Sequence, residues 1–122
     1  MSAAQSLLSR LPLVLVVALS VRTSALGEGT LTIHVANDTI DNLVVTLYDR
    51  NLSSHQTVLS GQVIYSNAWM VTSISADASG QGHVYWTAMT TDREMRHCGH
   101  HSEQGINDGD TIHVHADGPC SH

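Results

Sequence analysis

The chain has no lysine and no phenylalanine, and only two cysteines (Cys98, Cys120) and two prolines (Pro12, Pro119) among its 122 residues. Each scarcity excludes something. Without lysine, and with five basic residues against eleven acids, the chain lacks the clustered positive charge by which nucleic acids and anionic membranes are bound. Without phenylalanine, a core has to be built from aliphatic side chains and the two tryptophans, Trp69 and Trp86, both expected inside. Cys98 and Cys120 stand too far apart for the close cysteine pairs of a zinc ribbon. No G-x-S-x-G elbow and no phosphate-cradling glycine loop occurs, and Asn107–Asp110 (NDGD) lacks the distal glutamate of a calcium loop. The expectation is a protein that is not an enzyme. Internal repeats are also absent.

The longest apolar run is short as well. Leu11 to Val21 covers eleven residues, behind Arg10 and ahead of the small residues Thr23-Ser24-Ala25. Crossing a bilayer takes roughly 20 apolar residues, so this run reads as the h-region of a secretory signal rather than an anchor. No cysteine follows it as a lipoprotein leader requires. The expected organisation is a signal over residues 1–25 and one domain over 26–122, exported to the periplasm or the exterior. A domain of this size buries only about 60–65% of the surface its unfolded chain exposes. In an exported chain Cys98 and Cys120 are therefore expected to pair with each other, a loop closure worth ~3 kcal/mol.

Against these scarcities stands histidine. There are nine, six of them (His97, His100, His101, His113, His115, His122) in the stretch from Arg96 to the C-terminus that also holds both cysteines. With the signal removed, three arginines face eleven acids, a formal charge of −8 with histidine neutral. Protonating every imidazole would bring the domain close to neutrality, and imidazole titrates near pH 6.5 when unperturbed. Within His113-Val114-His115, alternation puts both imidazoles on one strand face and Val114 on the other. His97, His100 and His101 lie on the far side of the expected disulfide loop, and His34 joins the group if the first and last strands pair. Imidazole sites suit Zn(II), Cu(II) and Ni(II), with Glu103, Asp108, Asp110 and Asp117 available to orient the rings. The expected ligands are His97, His100, His101, His113 and His115, holding copper or zinc. The reading from a different class is a secreted or surface interaction domain with incidental histidines, with or without a response to pH. That reading expects an exposed apolar patch around Trp69 or Tyr65.

The rest of the domain alternates in short runs. Leu31, Ile33 and Val35 interleave with polar residues; Leu43–Tyr48 is apolar on both faces, as a central strand is. Gln56–Tyr65 reads as a hairpin or a strand broken at Gly61, followed by strands over Ala68–Ala76, His83–Thr90 and Asp110–Ala116. Turn clusters at Asp77–Gly82 and Asn107–Gly109 separate them. The sum is an all-β fold: a small antiparallel β-sandwich of about seven short strands, loosely immunoglobulin-like or transthyretin-like. Asn37-Asp38-Thr39 and Asn51-Leu52-Ser53 fit the N-glycosylation pattern.

Overall fold

A computed structural model describes residues 29–52 and 56–120. The expected signal, His55 and His122 lie outside these residues. The described residues form an all-β sandwich of eight strands: β1 (Thr30–Asn37), β2 (Leu43–Asp49), β3 (Thr57–Ile64), β4 (Ala68–Ser75), β5 (Gly82–Thr90), β6 (His97–Ile106), β7 (Thr111–Val114) and β8 (Gly118–Pro119). The small sheet has the order β4-β1-β7 and the large sheet the order β3-β2-β5-β6-β8.

Period-2 alternation produces the core directly. Leu31, Ile33 and Val35 from β1 meet Leu43, Val45 and Leu47 from β2, and Val84, Trp86 and Ala88 from β5, with Ile112 and Val114 from β7 completing the layer. β2 is central, between β3 and β5, as its two-sided apolar sequence predicts. Residues 56–65 form no hairpin. They supply the single strand β3, whose pairing with β2 slips once beside Gly61, itself in the left-handed region at φ 57°, and again between Leu59 and Thr57.

The structure adds to the expectations or departs from them at four points, each for a physical reason. β6 is a ten-residue strand with no hydrophobic alternation to announce it; it forms because β5 offers a full antiparallel ladder from Gly82↔Ile106 to Met89↔Cys98. The sandwich is not purely antiparallel, since β1 and β7 pair in parallel. Trp69 is not in the core. It is 60% exposed while Trp86 is 1% exposed, because the inward positions of β4 are taken by Met70, Thr72 and Ile74, one residue out of phase with Trp69. Finally, the amides of both candidate glycosylation sites are structural. Asn37 is fully buried, its Nδ2 donating to Asp41 O (2.7 Å) and Ile64 O (2.9 Å) and its Oδ1 accepting from Thr39. Asn51 Nδ2 donates to Ser75 O and Gln81 O, each at 3.0 Å.

The disulfide is present as expected. Cys98 and Cys120 bond across a Cα–Cα distance of 4.8 Å and tie β6 to the chain end just past β8. Between β7 and β8 the backbone crosses from one sheet to the other over His115–Asp117, directly above Gly99. A Cβ at Gly99 would run into the carbonyl oxygen of His115, so this crossing requires glycine there. No helix of the described residues is long and apolar enough to cross a membrane.

Candidate functional site

The five expected metal ligands are divided among different surfaces. On β6 from Cys98 to Gln104, odd-numbered residues share the inward face of Trp86 and even-numbered residues the outward face of Tyr85, by the register Trp86↔His101 and Tyr85↔Ser102; a register slip then turns Ile106 into the core. His100 therefore lies on the outer face of the large sheet, 6.1 Å from the Tyr85 ring. There it lines a groove of about 330 Å³ with Val44, Thr46, Met89 and Pro119. His101 lies on the opposite face, 6.4 Å from the Trp86 ring. His97 is exposed at the start of β6. His113 stands on the outer face of the small sheet, next to Ala36. Ile112 and Val114 do point inward as alternation requires, at 2% exposure each. His115 falls past the end of β7, on the crossing, with its ring edge-on to Trp86 at 5.2 Å.

One of these imidazoles is oriented by a carboxylate and a second lies near one. His113 Nδ1 donates to Asp38 Oδ2 at 2.6 Å, and His115 Nδ1 lies 3.2 Å from Asp117 Oδ2. A carboxylate on Nδ1 leaves Nε2 with its lone pair outward, the arrangement that prepares an imidazole to bind a metal. Asp117 was expected in this role; Asp38 was not, because it is distant in sequence and arrives only through the β1–β7 pairing. The other three expected acids are used elsewhere. Glu103 accepts from Trp86 Nε1 (3.0 Å), Asp108 from Thr32 N (2.7 Å) and Asp110 from Asn107 N (2.8 Å). The disulfide does bring the two histidine segments together at one place. His100, His115 and Asp117 line a hollow of about 310 Å³ beside Cys98 and Gly118, and His101 shares the Trp86 indole with His115. Among the described residues, however, no group of three or more histidine, cysteine, aspartate or glutamate side chains is arranged to hold a metal ion.

The small sheet presents a different kind of site. β1 and β7 are neighbours as the His34 argument supposed. Yet the ring of His34 packs edge-on against Trp69 at 5.1 Å instead of joining a ligand cluster. Its Nδ1 is buried without a hydrogen-bond partner among the described residues. Around this pair the outer face is bare. Val71 is 50% exposed, and Tyr65 and Ile40, in the turns beside β4 and β1, are 64% and 91% exposed. The three strands of this sheet, TLTIHVAN, AWMVTSIS and TIHV, contain no aspartate, glutamate or arginine. Apart from the His113–Asp38 pair beside β7, strands so free of charge around an exposed tryptophan are unusual in a chain of formal charge −6, because water-facing sheet surfaces are ordinarily polar or charged.

Compared with protein-family models, curated proteins and solved structures, the chain shows no significant match.

Proposed function

We propose that this is an exported, non-enzymatic interaction domain, and that its contact surface is the outer face of the small sheet. The observation that carries the reading is the uncharged strand β4 displaying Trp69 at 60% and Val71 at 50% exposure. Tryptophan supplies large contact area at little entropic cost and anchors interfaces out of proportion to its frequency. The partner that fits is a polypeptide with a mostly apolar contact surface, since the strand that carries Trp69 and Val71 has no charged side chain. Export is supported by the disulfide, which persists in oxidising compartments, and by the short apolar leader with its small-residue exit. The test is a photo-crosslinking amino acid at position 69, compared with one at position 87 on the outer face of the large sheet. The full chain is expressed with its own leader. A discrete protein adduct is expected from position 69 alone; adducts from neither position, or equally from both, remove the reading.

A second reading rests on the corner at His115. His115, its Nδ1 3.2 Å from Asp117 Oδ2, stands beside the hollow that His100 lines, while His101 flanks the same indole. Two such imidazoles with water or a carboxylate suit Cu(II) or Zn(II). In a Trp69→Phe variant Trp86 is the sole indole, and Cu(II) at this corner would quench its emission at one equivalent. His115→Ala would abolish that quenching. Quenching that survives His115→Ala, or that needs many equivalents, eliminates the corner as a site.

A further inference from the structure

Every open β-sheet has edges whose unpaired N–H and C=O groups can recruit another strand, and proteins blunt them by shortness, proline, bulges or charge. Three of the four edges here are blunted. β3 carries the slipped register beside Gly61, β7 has four residues, and β8 has two, one of them Pro119. The fourth edge is β4, with eight residues, no charge, no proline and no glycine, and with an unbroken register against β1.

The hydrogen-bond phase shows which of its groups face outward. Ala76 N donates to Gly29 O at 2.8 Å, and the same register continues as Thr30↔Ser75 and Leu31↔Ile74. Directly bonded pairs alternate along an antiparallel ladder, so residues 70, 72 and 74 point their backbone groups at β1 and residues 69, 71, 73 and 75 point theirs away. Ser75 confirms the phase: its N–H donates to Asp49 Oδ2 (2.7 Å), and its carbonyl accepts from Asn51 Nδ2 (3.0 Å). At the other end Asn67 turns the chain at φ 62°. The outward groups of Trp69, Val71 and Ser73 have no partner among the described residues. They form a window centred on Val71.

We infer that β4 pairs with β4 of a second copy of this chain, antiparallel across a two-fold axis at Val71. The inference rests on the interaction reading and names its partner. Val71 faces Val71 of the second copy, and Trp69 faces its Ser73. All three outward positions then lie opposite one another as directly bonded pairs, making roughly six hydrogen bonds, and the two small sheets become one. Antiparallel pairing about a single residue also keeps faces in step, placing Trp69 and Val71 of both copies on one continuous outer surface with Val71 in cross-strand contact with itself. A second copy is the favoured occupant because of charge. Two molecules of an anionic chain repel each other where acids meet, and the strands of this sheet carry none.

The test is sedimentation equilibrium of the full oxidised chain, with Val71→Lys and Val71→Asp variants. The wild type is expected as a dimer. Each variant alone opposes like charges on the axis and is expected to dissociate, weakening association roughly tenfold or more, since like charges directly opposite destabilise a strand pair. Mixing Val71→Lys with Val71→Asp is expected to restore the dimer, an outcome that a misfolded variant cannot give. A Val44→Lys variant, on the outer face of the large sheet, is expected to dimerise as the wild type does. A monomeric wild type overturns the inference, as does a Val71→Lys variant that associates like the wild type. If the wild type is monomeric but position 69 still crosslinks to a different protein, the second copy is wrong and the interaction reading stands. If it is monomeric and position 69 forms no adduct, both fall.

Discussion

The two sheets share one core and treat their other surfaces differently. The large sheet covers its outer face with Tyr48 stacked on Tyr85 at 6.0 Å, Arg50 over Tyr85 at 5.9 Å and His100 beside them. Its edges end in a bulged strand and a two-residue strand locked by the disulfide. The small sheet is less protected: its outer face shows Trp69 and Val71, and although its β7 edge is short, β4 has open backbone groups over Trp69–Ser73. The contrast separates residues that hold the fold from residues that face a partner, and the two tryptophans express it most sharply. Trp86→Ala removes a buried indole with its bond to Glu103 and is expected to cost about 3–5 kcal/mol. Trp69→Ser removes an exposed one and should change stability by only about 0.5 kcal/mol. Urea midpoints of the two variants measure the difference. A large loss from Trp69→Ser would mean that the small sheet's outer face belongs to the fold.

Next in size is the disulfide, which closes the large sheet's edge. Replacing Cys98 and Cys120 together by alanine should cost about 2–4 kcal/mol in thermal or urea unfolding. The loss should fall on β6, β8 and the His115 crossing, and spare the β1–β4 pairing. Amide exchange would show this as early opening of residues 97–104 with β4 unchanged. Uniform loss of protection would mean that the sheets do not differ in this respect.

Asp49 joins the two halves. Buried at the end of β2, it accepts from Asn51 N (3.0 Å) and from Ser75 N on β4 (2.7 Å), so it also closes one end of the β4 window. Asp49→Ala should destabilise by about 1–3 kcal/mol, the cost of stranding buried donors. The same variant releases the outward N–H of Ser75. If the edge associates as inferred, the destabilised protein should associate at least as strongly as the wild type, an outcome that simple loss of fold would not give.

What the sequence revealed follows the same division. β1, β2, β5 and the Asp77–Gly82 turn were legible because each obeys a local rule: alternation, two-sided apolarity or turn chemistry. The cysteine pair was legible from compartment and number. β6 was not, because HCGHHSEQGI carries no period and owes its conformation to β5. The phase of β4 was misread in favour of Trp69, since AWMVTSIS puts a large apolar side chain on either face and only packing chooses Met70. The histidine cluster failed as a cluster for a topological reason. His113 and His115 alternate correctly, but the chain leaves its sheet after Val114, and the Gly99–His115 approach that permits this involves residues sixteen positions apart. Asp38, the partner of His113, is invisible at a separation of 75.

The smallest effect concerns the joint where the chain passes from β4 in the small sheet to β5 in the large one. Asp77 Oδ1 accepts from Ser79 Oγ (2.7 Å), Ser79 N (2.9 Å) and Gln81 N (3.0 Å). These bonds, the Ser79 hydroxyl foremost, favour the ionised carboxylate and hold its pKa below the ordinary value of 3.8 against a small opposing effect of burial. In the unfolded chain the group takes up its proton at a higher pH. The stabilisation is therefore fully present above the unfolded pKa and lost as pH falls through the folded one. Asp77→Asn keeps an acceptor oxygen for all three donors and removes only the charge. It should lower the urea midpoint slightly at neutral pH, and the gap from the wild type should close as pH is taken below 3.8. A gap that persists in acid would assign the effect to the shape of the turn rather than to its charge.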